Sequence, residues 1–81
     1  MEVEAQRIRE LVIEAGALVD WVSSGRGDVE VVGAALLYLH DELGDLAIHT
    51  ADGDARAAAC GMVTVIEETL ATKSDSGTAA A

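Results

Sequence analysis

The segment DVEVVGAALLYLHDELGDL, residues 28–46, decides the fold of this chain. Its large apolar residues recur at alternating spacings of three and four, which indicates one continuous apolar seam along a helix. The seam consists of Val29, Val32, Leu36, Leu39, Leu43 and Leu46. The first half of the segment also carries Val31, Leu37 and Tyr38 on its other sides. A helix that is apolar most of the way round is buried on more than one side. The segment therefore predicts a central helix with a second face left over for a partner.

One further helix is predicted before this segment and one after it. The stretch SSGRG, residues 23–27, ends the first helix, with Gly25 as a left-handed terminator and Asp28 as the next N-cap. The stretch TADGD, residues 50–54, separates the second helix from the third, with Asp52 or Asp54 as its cap. The predicted apolar face of the first helix, over residues 2–22, consists of Ile8, Leu11, Ala15, Leu18 and Val22. That of the third helix, over residues 55–72, consists of Ala55, Ala59, Met62, Val63, Ile66 and Leu70.

These patterns predict an all-α fold, a small three-helix bundle made of a helical hairpin and a third helix. Residues 1–72 form one helical domain, and residues 73–81, KSDSGTAAA, are expected to be a disordered C-terminal tail because they show no periodicity. A chain of 81 residues buries a modest share of its surface, and such domains often gain stability by oligomerising. We therefore expect a homodimer through the surplus face of the second helix, with or without the first.

The composition limits the classes of function. Fifteen acidic residues against five basic ones give a formal net charge of −10, which disfavours direct binding to nucleic acid or to an anionic membrane. A single cysteine rules out an intrachain disulfide, and the charged start MEVEAQRIRE does not resemble a signal peptide. No apolar run approaches the roughly 20 residues of a membrane span. The expectation is a soluble, cytoplasmic protein.

The sequence offers little support for catalysis. It contains no P-loop, nucleophile elbow or cofactor motif, and no supported arrangement of Ser, His and Asp or of Cys and His, so we expect no enzyme and no cofactor. Cys60, between Ala59 and Gly61, is expected to be a small buried packing residue. Asp41, Asp45 and His49 share one helix face, and they supply an alternative hypothesis, a metal- or small-ligand-binding bundle.

The remaining features favour a small acidic protein-interaction module that inhibits or regulates a partner. In one mechanism, an acidic surface occupies a groove of a basic or nucleic-acid-binding protein. In size and charge the chain is similar to the small inhibitors of phages and mobile elements, including anti-CRISPR proteins, although no motif carries that similarity further. In the second mechanism, an apolar helix face docks onto the partner, as expected of an antitoxin or a co-regulator. The candidate acidic residues are Glu10, Glu14, Asp41, Glu42 and Asp45. The candidate apolar residues, for a partner or a dimer, are Trp21, Val31, Leu37 and Tyr38.

Overall fold

The computed structural model is a bundle of three α-helices, and no strand occurs among residues 2–80. The structure describes the backbone of residues 2–80 and the side chains of residues 2–72. Helix α1 spans Val3–Ser23, α2 spans Val29–His49 and α3 spans Gly53–Ala80. Each helix packs against both of the others. The predicted all-α three-helix fold is confirmed.

The ends of the helices form as the local sequence predicts. Gly25 has a φ of +80°, in the left-handed region that ends helices. The Asp28 carboxylate accepts a hydrogen bond from the Glu30 amide at 2.8 Å, which caps α2. The Asp52 carboxylate accepts from the amides of Asp54 and Ala55 at 3.0 and 3.1 Å, which caps α3. The short loops between these caps make consecutive helices antiparallel neighbours.

The core lies between the three predicted apolar faces. Its buried residues are Ala5, Ile8, Leu11, Ala15, Val22, Val32, Leu36, Leu39, Leu43, Ala47, Ala55, Ala59 and Ile66. Leu18, Leu46, Met62, Val63 and Leu70 pack against this cluster and are partly buried. The prediction for Val29 is wrong, because its side chain is 48% exposed. Val29 is the first residue of α2, one turn before the first buried position at Val32, so it lies beyond the end of the core.

Polar contacts connect the beginning of α1 to the loop between α2 and α3. The Glu2 carboxylate accepts hydrogen bonds from the Thr50 hydroxyl and from the Ala51 amide, the latter at 3.1 Å. The Thr50 hydroxyl in turn accepts from the Asp52 amide at 3.1 Å, so this buried polar side chain is satisfied. These bonds fix the lower end of the bundle, where α2 ends and α3 begins.

The third helix is longer than the sequence predicts. The sequence predicts that the third helix ends near Thr72, whereas α3 continues to Ala80. The predicted disorder of residues 73–81 falls on positions whose side chains lie outside the described part of the chain, and it stays a prediction. Within the described residues, no helix combines the length and the apolar character that crossing a membrane requires.

Candidate protein-interaction surface

The side of α2 that faces away from the core carries an exposed strip of apolar side chains. Val31, Leu37 and Tyr38 are 68%, 54% and 58% exposed, and Ala34 between them is exposed as well. We call these four residues the apolar strip. Their helical spacing places them on the side of α2 opposite the buried seam. The predicted second apolar face of this helix is therefore present and open to solvent.

The acidic candidates divide between two helices. Asp41 and Asp45 continue the face of the apolar strip toward the end of α2, and their side chains are 87% and 72% exposed. Glu42, between them in sequence, is only partly exposed. Glu10 and Glu14 are exposed on α1. The outer face of α2 thus has an apolar first half and an acidic second half, and Glu10 and Glu14 belong to a different helix face.

A histidine links α2 to α3 beside this surface. His40 Nε2 donates a hydrogen bond to a Glu67 carboxylate oxygen at 2.9 Å, and its Nδ1 lies 3.5 Å from the Asp41 carboxylate. The hydrogen bond to Glu67 raises the pKa of His40 above its usual 6.5, partial burial opposes the shift, and Asp41 adds to it. Sequence reasoning missed this pair because its members are 27 residues apart.

The His40 contact predicts a pH-dependent contribution to stability. Because the pKa of His40 is raised in the folded state, the contribution is fully present below pH 6.5 and is lost as the pH rises through the folded-state pKa. We expect His40→Gln to lower the urea midpoint more at about pH 5.5 than at about pH 8.5. Glu67→Gln, which removes the carboxylate charge that favours protonated His40, should reproduce that pattern. An equal loss at both pH values for His40→Gln would contradict this assignment.

Trp21 lies at the end of α1 against the loop that leads into α2. The Arg26 guanidinium lies 5.9 Å from the centre of its ring, within the range of a cation–π contact. A Cβ atom built on Gly27 would lie 2.3 Å from Trp21 Nε1, so the indole packs directly on the glycine backbone. The side chain is 49% exposed. Trp21 therefore covers the loop with part of its ring and leaves the rest open to a partner.

This packing predicts that the two loop glycines respond differently to alanine. Both have positive φ, +80° at Gly25 and +73° at Gly27, so either substitution adds backbone strain of about 1–2 kcal/mol. Only at Gly27 does the new Cβ displace Trp21. We expect Gly27→Ala to destabilise the protein more than Gly25→Ala and to shift the fluorescence of its single tryptophan. Equal unfolding free energies and identical spectra for the two variants would contradict the packing.

The residues of the metal hypothesis do not converge on one point. His49 Nδ1 donates to the Asp45 carbonyl oxygen at 2.8 Å and lies 3.7 Å from the Asp45 carboxylate, and Asp41 lies one turn earlier. Among the residues whose side chains are described, no group of three His, Cys, Asp or Glu could hold a metal ion. The geometry therefore gives the metal-binding alternative no support.

The prediction that Cys60 is buried is wrong. Its side chain is exposed, and it lines an apolar groove of about 490 Å³ between α2 and α3. The groove is lined by Gly44, Ala47, Ile48, Arg56, Cys60, Val63 and Thr64. Helical spacing could have predicted this exposure. Cys60 lies one residue after the buried Ala59 and hence outside the buried seam of α3. Ile48, which follows the buried Ala47 in α2, is 77% exposed and also lines the groove.

Comparisons of the chain with protein-family models, with curated proteins and with solved structures found no match. The function is therefore inferred from the geometry and chemistry of the surface itself.

Proposed function

We propose that this protein is a non-enzymatic interaction module that binds another protein through the outer face of α2 and thereby inhibits or regulates it. The observation that supports the proposal is the exposure of Val31, Leu37 and Tyr38 on the helix whose opposite side forms the core. Contiguous exposed apolar side chains mark interaction sites in soluble proteins, and Tyr is enriched among the residues that dominate binding energies. Trp21, half exposed at the same end of the bundle, adds a second aromatic contact.

The charge of the molecule supports a partner with a basic surface. Asp41 and Asp45 adjoin the apolar strip on α2, and the chain has a formal net charge of −10. Carboxylates beside an apolar contact select partners with Lys or Arg at the matching positions and accelerate encounter at low salt. The proposed partner presents an apolar cleft bordered by basic residues.

Two partner classes follow from this chemistry. The first is a basic, nucleic-acid-binding protein whose groove the acidic residues block, as expected of a phage or mobile-element inhibitor of the anti-CRISPR type. The second is a protein that receives the apolar strip as a docked helix, as expected of an antitoxin or a co-regulator. The apolar strip favours the second mode of contact, while Asp41 and Asp45 are available in both. In either case the encounter is proposed to occur in the cytoplasm.

A homodimer is a second proposal, in which another copy of the chain occupies the apolar strip in place of the partner. The exposed Val31, Leu37 and Tyr38 give two copies an apolar surface to share, and small domains gain stability from such burial. Two copies with a charge of −10 each repel one another, so added salt should favour the dimer. Light scattering at high micromolar concentration should give a dimer mass at about 0.5 M salt, and a monomer mass there would contradict the dimer.

The partner is tested by capture from a host lysate on the tagged protein, with parallel washes at low and high salt. A basic nucleic-acid-binding protein that is lost only in the high-salt wash supports the acidic-surface mechanism, because salt screens exposed charges. A protein retained in both washes supports docking by the apolar strip. Capture of nothing except the protein itself would contradict the proposed function.

A further inference from the structure

We propose a second binding surface, the groove between α2 and α3, and infer that it takes an amphipathic helix with basic flanks from a partner protein. The lining of the groove, which includes Gly44, Ile48 and Cys60, shares no residue with the apolar strip, although Asp41 and Asp45 border both surfaces. Its volume of about 490 Å³ lies within the roughly 300–1,000 Å³ of pockets that bind ligands.

Both ends of the groove are held by contacts between α2 and α3. At the upper end, His40 of α2 donates to Glu67 of α3 at 2.9 Å. At the lower end, Arg56 of α3 donates through Nε to the Ala47 carbonyl oxygen at 3.1 Å, and through Nη2 to that of Thr50. These bonds fix the separation of the two walls before a ligand arrives, and a preformed site loses less conformational entropy on binding.

The floor of the groove has free space that the packing of the domain does not require. A Cβ built on Gly44 meets no atom within 4 Å, although glycine is a poor helix former in the middle of α2. Thr64 directs its hydroxyl to the Cys60 carbonyl oxygen at 3.1 Å, so this polar group is satisfied within α3. The small residues of the floor admit large apolar side chains from outside, and Ile48, 77% exposed, stands beside them as a contact.

The charges beside the groove identify the occupant. Asp41 lies one turn before Gly44, Asp45 directly follows it, and Glu67 lies one turn after Val63. These carboxylates are 87%, 72% and 60% exposed. From His40 to Ile48 the wall is about 12 Å long, which matches two turns of helix. A bound helix with apolar side chains at positions i and i+4 could place them in the groove. Lys or Arg residues beside them would then lie near the carboxylates. A second copy of this chain is a less suitable occupant, because its net charge of −10 is repelled by these carboxylates.

The probe is a designed, fluorescein-labelled peptide of Leu and Lys with helical amphipathic spacing, compared with a scrambled peptide of equal charge. We expect fluorescence anisotropy to show saturable binding of the amphipathic peptide and at least about tenfold weaker binding of the scrambled one. The amphipathic peptide should also slow the reaction of Cys60, the single cysteine, with a maleimide. Equal binding of both peptides, or an unchanged Cys60 rate, would overturn the proposal.

Variants separate the groove from general electrostatic attraction. Gly44→Gln fills the floor without changing charge, and we expect at least about tenfold weaker peptide binding, with folding checked by circular dichroism. Ile48→Asp should also weaken binding, whereas Ile13→Asp, at a side chain of similar exposure on α1, should reduce it by no more than about twofold. Wild-type affinity in Gly44→Gln would overturn the assignment. Leu37→Asp tests the apolar strip instead. The groove proposal can therefore fail without contradicting the proposed function.

Discussion

Leu36→Ala is expected to lower the free energy of unfolding by about 2–5 kcal/mol, the range found for leucines deleted from well-packed cores. Leu36 is fully buried in α2, at the centre of the three-helix core. Small domains have total stabilities near the lower end of about 5–15 kcal/mol, so this loss is a large fraction of the total. Urea unfolding followed by far-UV circular dichroism measures the change.

The neighbouring leucine is a matched control for this prediction. Leu37 is the next residue of the same helix, and its side chain is 54% exposed. Leu37→Ala should change the free energy of unfolding by no more than about 0.5 kcal/mol, as surface substitutions usually do. Comparable losses for Leu36→Ala and Leu37→Ala would contradict the orientation of α2 on which the interaction surface depends.

Tyr38→Asp is expected to weaken binding of the captured partner by at least about 30-fold, which corresponds to the ~2 kcal/mol that defines a dominant interface residue. Tyr38 is 58% exposed and flanked on its helix face by Val31 and Leu37, so a bound partner would bury its ring among apolar neighbours. Aspartate at this position would place an unpaired charge in that contact. Titration calorimetry with the purified partner measures the change in Kd.

Ile13→Asp is the matched control for binding. Ile13 is 75% exposed on α1, and the substitution adds the same negative charge outside the outer face of α2. We expect its effect on Kd to remain within about threefold, because a distant exposed charge is largely screened. Equal weakening of binding by Ile13→Asp and Tyr38→Asp would show that the apolar strip is not the contact.

The fold could be predicted from the sequence because its signals are local. The spacing of Val32, Leu36, Leu39 and Leu43 identifies the buried side of α2, and all four are buried. The cap at Asp28 and the left-handed Gly25 follow from residue type and position alone. The exposure of Val31, Leu37 and Tyr38 follows from the same spacing, since they lie outside the seam.

The parts that could not be predicted depend on distances between helices. The groove exists because Gly44 and Cys60, which are 16 positions apart in sequence, line the same space. The His40–Glu67 contact requires the register of α3 against α2. The error at Cys60 has a different source, because small flanking residues do not by themselves indicate burial. Helix phase places Cys60 beside the seam, and there it is exposed.

Backbone amide NMR shifts, measured while the captured partner is titrated into the protein, test whether the outer face of α2 binds that partner. We expect the largest changes at residues 31–45, around Val31, Leu37, Tyr38 and Asp41, with smaller changes at Trp21. The exposed face of α1 around Glu10 and Ile13 should change little. Changes concentrated on that face of α1, with α2 unaffected, would contradict binding through the outer face of α2.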